Sequence, residues 1–114
     1  ISRGKRVARE YVDELTEGWA ISQVSVLELI VGARDKKDLA NSDTFLSAYV
    51  IVPFQESTGR KAYELLKLYA KPYGLHVFDS LVAATAMEEG LTLVTKNRRH
   101  FGVIEGLSLE VPAY

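Results

Sequence analysis

Three side chains that carry oxygen atoms stand within or next to apolar segments in this sequence. Asp79 precedes the helical stretch "SLVAATAME", Asn97 follows the run "LTLVT", and Glu28 lies within "SVLELIVGA". Carboxylate and amide oxygens are the ligands that hard divalent ions such as Mg²⁺ and Mn²⁺ take in proteins. Such an ion activates water and stabilises the charge that builds on a phosphate. The three residues together therefore indicate a site for phosphodiester hydrolysis.

Each of the three residues also has a purely structural interpretation. Asp79 is a good N-cap for the helix that follows it, and Ser25 with Glu28 matches the capping-box pattern. Asn97 suits a loop position with a left-handed backbone conformation. Two carboxylates at neighbouring helix starts would nevertheless repel each other unless a cation lay between them. The structural and the metal-binding interpretations are compatible, and both are open.

Further polar side chains flank this candidate site. Lys96, Arg98, Arg99 and His100 form a basic run, which either contacts the phosphates of a nucleic acid or is a solvated loop. Ser80 and Thr95 either hydrogen-bond a carboxylate or a water at the site or are satisfied by the backbone. His76 and His100 are not spaced as a metal-binding pair, and neither is assigned a ligand role.

Composition limits the classes of protein that need consideration. The chain has 114 residues, which is the size of one domain, taken here as residues 1–114. It has no cysteine, so disulfides and zinc–thiolate sites are excluded, and its net charge of −1 gives no overall positive field for nucleic acid. No apolar run is long enough to cross a bilayer and no basic-then-apolar leader is seen, so the default expectation is a cytoplasmic protein without membrane contact.

Helices and strands alternate along the chain, which predicts the α/β class. Because the strands are separated by helices, we expect a three-layer α/β/α sandwich with a mostly parallel sheet. The carboxyl ends of such strands share one edge of the sheet, where Glu28, Asp79 and Asn97 would meet. The hydrophobic patterns place helices at 5–16, 25–33, 36–48 (broken near 41–43), 57–71 and 79–89, and strands at 19–24, 49–53, 91–95 and 107–111.

Two segments carry a resemblance to a known family. "ISQVSVLELIVGAR" and "FDSLVAATAMEEGLTLVTKNRRHFGVIEGLSLEVPAY" resemble PIN-domain proteins, specifically the VapC-type ribonuclease toxins, over about residues 19–114. The resemblance implies a parallel sheet between helices and an RNA-cleaving activity that depends on Mg²⁺ or Mn²⁺. It also implies that Glu28 and Asp79 are the second and third members of an acidic site. Asn97 falls where many relatives have aspartate and others asparagine, so chemistry with one ion is as plausible as chemistry with two.

The resemblance further implies protein partners. A VapC-type toxin is expected to bind a VapB-like antitoxin, whose C-terminal tail covers the site, and to form a homodimer. The family also begins with a central strand that carries a first catalytic aspartate, and nothing in this sequence matches that strand. We therefore expect about a dozen further residues, including an aspartate, upstream of Ile1 or a strand supplied by another chain.

Two other functions are compatible with these residues. A PIN-like module that binds RNA or protein without cutting it is favoured by the unmatched first aspartate and by the neutral Asn97. A phosphotransfer domain or phosphatase on a similar sheet would require a nucleophilic aspartate at the end of a strand, and no such residue is visible. The order of preference is nuclease, binding module, phosphotransfer domain.

Overall fold

A computed structural model describes residues 14–15 and 20–111 of the chain. Helices supply most of this part, and five short strands form one sheet. The strands are β1 (Glu14–Leu15), β2 (Ala20–Ser22), β3 (Val50–Val52), β4 (Leu93–Val94) and β5 (Leu109–Glu110), and the helices are α1 (Gln23–Val31), α2 (Lys36–Leu46), α3 (Glu56–Tyr73), α4 (Val77–Glu88) and α5 (Arg98–Phe101). None of the helices described here combines the length and apolar character that a membrane crossing requires.

The strands lie in the order β3-β2-β1-β4-β5. The two outer pairs, β2 with β3 and β4 with β5, are parallel, whereas β1 is antiparallel to both β2 and β4. Strands β2 and β4 therefore run in the same direction on either side of β1. Four of the five strands share one direction, which confirms the predicted mostly parallel sheet.

The centre of the sheet differs from the expected arrangement. Glu14–Leu15 lies at the position that was expected to be filled by an upstream strand, and it pairs with β2 and β4 through main-chain groups. The helix predicted over residues 5–16 is therefore wrong at residues 14–15, while residues 5–13 and 16 lie outside the described part. Buried backbone groups on β2 and β4 require partners, and this pairing overrides the local helical pattern. The expectation of an aspartate upstream of Ile1 stays a prediction.

Helices cover both faces of the sheet, as the α/β/α prediction required. Ala20 packs with one hydrophobic cluster and its neighbour Ile21 with a second, and adjacent strand residues point to opposite faces. The larger cluster contains fully buried Leu93 and Phe101 together with residues of α3 and α4. The smaller cluster joins Ile21 to Phe45 and Leu46 of α2. Fold class and layer arrangement are thus those of a PIN-like α/β/α sandwich.

Several boundaries move relative to the sequence pattern. Helix α2 is continuous through residues 41–43, where a break was predicted, because Ser42 is buried and Phe45 and Leu46 anchor the helix to the core. Helix α3 includes Pro72 in its last turn and ends at Gly74, whose φ of 71° is left-handed. The glycine that was predicted to stop α4, Gly90, follows its C-cap with φ 65°.

Candidate active site

The carboxyl ends of β2 and β4 form one edge of the sheet, as predicted. Ile21 and Val94 both pair with Glu14, so the two strands end level with each other. Helix α1 starts directly after β2, and the segment that contains Thr95 and Asn97 follows β4. We refer to this edge, where residues 22–23 and 95–97 emerge, as the rim.

Asp79 lies in the first turn of α4, but it is not the N-cap. His76 holds that position, and the helix begins at Val77 rather than at residue 79. The Asp79 side chain is 18% exposed to solvent, and its Oδ2 lies 3.3 Å from Nδ1 of His100. This half-buried carboxylate is therefore held next to the segment that leaves β4. The N-cap interpretation of Asp79 is wrong, which leaves its carboxylate available for chemistry.

Asn97 is the N-cap residue of the short helix α5. Its φ of −90° is not left-handed, so the loop interpretation based on that conformation is wrong. The main-chain N–H of Asn97 donates to Oγ1 of the buried Thr95 at 3.0 Å, and its carbonyl accepts from the N–H of His100 at 3.0 Å. Its side chain makes no capping hydrogen bond. Thr95 therefore positions Asn97 through the backbone.

Ser80 is fully buried beside Asp79 in α4. Its hydroxyl donates to the carbonyl of Val77 at 2.6 Å. This is the backbone-satisfied alternative that the sequence left open for Ser80. A supporting role at the site would therefore act through the position of the helix.

Glu28 lies on α1, which packs against α4. The N-cap of α1 is Ser22, whose Oγ accepts from the N–H of Ser25 at 3.1 Å, so the predicted Ser25–Glu28 capping box is wrong. Ser22 is also the last residue of β2, where it pairs with Val52 of β3, so the helix starts directly after the strand. Glu28 is exposed and lies five residues beyond Gln23, roughly 7.5 Å along the helix axis.

The described residues do not contain a complete metal cage. Within residues 14–15 and 20–111, no three histidine, aspartate or glutamate side chains lie close enough together to hold a metal ion. The structure brings Asp79 next to the segment that carries Asn97, and it places Glu28 on the adjacent helix. A Mg²⁺ site needs only one or two carboxylates when waters fill the other positions. The oxygen donors present fit a partly hydrated divalent ion.

The predicted basic run surrounds the start of α5. Lys96, Arg98 and Arg99 are all exposed, and they stand on either side of Asn97. Exposed cations at the edge of an acidic site are suited to hold the phosphates of a nucleic acid.

His100 belongs to the basic run predicted beside the site, but sequence reasoning missed its contact with Asp79. It lies one turn after Asn97 and contacts Asp79, while its ring lies 6.2 Å from that of His76 in an edge-on arrangement. The contact joins α4 to the segment after β4, so no local spacing reveals it. The available signal was the run "NRRH", which places His100 on the first turn after Asn97.

Comparisons with known proteins agree with this architecture. The family model described as PIN domain matches residues 2–106. "Ribonuclease VapC19" of Mycobacterium tuberculosis is 33% identical over 109 residues, which are 92% of this chain and 86% of that protein. The "tRNA(fMet)-specific endonuclease VapC" of Shigella flexneri is 33% identical over 98 residues, covering 79% of this chain and 72% of its own.

Two solved structures with the same fold are VapBC complexes. DNA-bound VapBC from Salmonella typhimurium matches with a TM-score of 0.73 and 26% identity, covering 81% of this chain and 74% of the other. VapBC2 from Rickettsia felis, bound to a promoter DNA fragment, matches with a TM-score of 0.70 and 31% identity over 82% of this chain and 74% of the other.

Proposed function

Because the chain belongs to the PIN-domain family, we propose that it is a metal-dependent endoribonuclease and the toxin of a VapBC-type toxin–antitoxin pair. Relatives named as VapC ribonucleases support this over most of the chain, with 33% identity over 92% of its length. The single observation that carries the proposal is the half-buried carboxylate of Asp79, held beside the rim next to the segment that follows β4. A carboxylate in this setting is a ligand for a divalent cation.

Asp79 is the principal ligand in this proposal. Asn97 supplies an amide oxygen from the rim, and Glu28 supplies a carboxylate from the adjacent helix. The ion, Mg²⁺ or Mn²⁺, would supply Lewis acidity toward water and toward the scissile phosphate. Thr95 and Ser80 keep Asn97 and the start of α4 in place through their backbone hydrogen bonds. An aspartate from outside the described residues would complete the acidic set.

Lys96, Arg98 and Arg99 hold the RNA backbone in the proposal. Their exposure around Asn97 supports contacts with phosphate oxygens on either side of the cleaved bond. Such contacts position an RNA strand without reading its sequence. Selection of a particular RNA would therefore depend on other surfaces of the protein.

The proposed partners are a VapB-like antitoxin and a second copy of the chain. The two solved structures described above are VapBC complexes, which supports an antitoxin partner for this chain as well. A VapBC-type toxin acts on RNA in the cytoplasm, and that location is part of the proposal.

A non-catalytic binding module is the second candidate function. It is favoured by the lack of a three-residue metal cage among residues 14–15 and 20–111 and by the neutral side chain of Asn97. Such a module would bind RNA or protein equally well with and without a chelator, and it would not cut RNA in the presence of Mn²⁺.

RNA cleavage by matched variants separates the two functions. Wild-type protein, Asp79→Asn and Asp43→Asn are incubated with transfer RNA and with a single-stranded RNA in Mg²⁺, in Mn²⁺ and in EDTA. Asp43 is exposed on α2 and provides the same chemical change away from α4. We expect Asp79→Asn to lower the rate of RNA cleavage by about 100-fold or more. Loss of a residue that only hydrogen-bonds a metal ligand already costs about 10–100-fold in affinity or activity, and loss of the ligand itself should cost at least as much.

The control and the chelator decide the outcome. Asp43→Asn should cleave like the wild type, and EDTA should stop cleavage by both. Equal cleavage by Asp79→Asn and Asp43→Asn, or cleavage that survives EDTA, would contradict the nuclease proposal. Binding of RNA by all three proteins without cleavage would establish the binding module instead.

A further inference from the structure

Three large apolar side chains are exposed within the six residues that come directly before Asp79. Tyr73, Val77 and Phe78 are 62%, 60% and 55% exposed to solvent, whereas the middle of α4, residues 82–86, is buried. We call these three exposed side chains the apolar patch. Single exposed apolar residues are ordinary on a protein surface, but several together beside a candidate site are typical of a binding surface.

The turn that carries the apolar patch is fixed to the core. Gly74 adopts a left-handed φ of 71°, and its N–H donates to a carbonyl in the last turn of α3 at 2.8 Å. The side chain of Leu75 is buried in the larger hydrophobic cluster. The carbonyl of His76 accepts from the N–H of Ser80 at 2.9 Å, which closes the first turn of α4. The backbone of Phe78 is therefore held on a rigid support, so little conformational entropy is lost when a ligand packs on its ring.

The apolar patch and the cationic side chains of α5 both adjoin Asp79. Phe78 directly precedes Asp79 in the chain, so their Cα atoms are about 3.8 Å apart. From α5, His100 contacts the Asp79 carboxylate at 3.3 Å. The same short helix carries the exposed side chains of Arg98 and Arg99. An exposed aromatic ring and two guanidinium groups therefore lie near the same carboxylate.

We propose that Phe78 is a stacking platform for a base of the RNA, and that the site therefore takes unpaired nucleotides in preference to paired ones. Proteins that bind single-stranded nucleic acid combine cations that hold the backbone with aromatic rings on which bases stack. Bases of single strands and loops can pack on such a ring, whereas the bases inside a duplex are already stacked on each other. The proposal rests on the proposed function, because it specifies the class of RNA that the same site takes.

The charge beside the apolar patch favours RNA over a protein as its occupant. Arg98 and Arg99 are suited to the phosphate that accompanies each base in a nucleic acid. Stacking on Phe78 tolerates any base, because every base has an aromatic face. The apolar patch thus distinguishes unpaired from paired RNA without reading its sequence.

A strand without bases provides the direct test. Binding of a labelled single-stranded RNA of about ten nucleotides and of an abasic strand of the same length is measured by fluorescence anisotropy, in EDTA so that both strands stay intact. The wild type is compared with Phe78→Ala, Phe78→Tyr and Tyr63→Ala. Tyr63 is a matched control, because it is 63% exposed on α3 and lines a surface pocket with Glu88, at the opposite end of α4 from Phe78.

We expect the wild type to bind the RNA about fivefold or more tightly than the abasic strand, since stacking on one aromatic ring contributes at least that much. Phe78→Ala should lose this preference, whereas Phe78→Tyr and Tyr63→Ala should keep it. A duplex of the same sequence should bind the wild type and Phe78→Ala with equal affinity.

Three results would overturn the assignment of Phe78. The first is equal binding of the RNA and the abasic strand by the wild type, and the second is an unchanged preference in Phe78→Ala. The third is unchanged RNA affinity in Phe78→Ala together with a change from dimer to monomer in light scattering. That result would assign the apolar patch to a contact between two copies of the chain.

Cleavage assays on the same samples keep this proposal distinct from the proposed function. If the wild type cleaves RNA with Mg²⁺ but its preference for strands with bases does not depend on Phe78, only the stacking assignment fails. If the preference follows Phe78 but neither Mg²⁺ nor Mn²⁺ supports cleavage, the stacking platform stands and the nuclease function fails.

Discussion

The carboxylate of Asp79 is the residue on which the proposed chemistry depends. It lies in the first turn of α4, and its distance of 3.3 Å from His100 places it against the segment after β4. The sequence predicted Asp79 and Asn97 as site residues, because each stands at the end of an apolar element. It did not predict the contact with His100, since only the tertiary fold brings α4 to the residues after β4.

Asn97 offers a test of charge at single-residue scale. Replacing Asn97 by aspartate adds a carboxylate one turn before His100, and the number of charged ligands governs the affinity of oxygen-rich sites for divalent ions. We expect Asn97→Asp to raise the Mg²⁺ affinity by roughly tenfold, measured by calorimetry.

The control for this charge change is Asn41→Asp. Asn41 is exposed on α2, so an added carboxylate there should leave Mg²⁺ affinity unchanged. An equal gain in both variants would mean that only the overall charge of the protein matters, and it would remove Asn97 from the site.

The start of a helix depends on its N-cap residue, and the sequence can offer more than one candidate for that position. "SQVS" contains two serines that are both suited to cap α1, and the pattern favoured Ser25. The structure selects Ser22, because its Oγ accepts from the N–H of Ser25 while Ser25 Oγ lies 3.0 Å from Ser22 Oγ. By contrast, the end of α4 was predictable, since Gly90 adopts the left-handed conformation that glycine favours.

The two serines make a prediction at the element scale. Ser22→Ala removes the cap and leaves a buried N–H unpaired, so it should lower the free energy of unfolding by about 1–2 kcal/mol. Ser25→Ala keeps the hydrogen bond from the N–H of residue 25 to Oγ of Ser22, so it should lower the free energy of unfolding by less. Urea denaturation of both variants gives these values, and a larger loss for Ser25→Ala would restore Ser25 as the N-cap.

The whole molecule explains which predictions succeeded. Helices alternate with strands along the chain, and this pattern predicts the α/β class, the three layers and the common direction of four strands. The amphipathic pattern of α3 and the apolar run that ends at Thr95 are its clearest examples. The pairing of Glu14–Leu15 between β2 and β4 could not be predicted locally, because it satisfies backbone groups on strands that come later in the chain. Long-range pairing of this kind also sets the rim, where β2 and β4 end level.

A crystal of the protein grown with saturating Mn²⁺ tests most directly whether this rim is a metal-dependent active site. Anomalous scattering locates the ion without reference to activity. The proposed site predicts an anomalous peak within about 2.0–2.3 Å of a carboxylate oxygen of Asp79, between α4 and the end of β4. No peak at saturating Mn²⁺, or a peak that does not involve Asp79, would contradict the central claim.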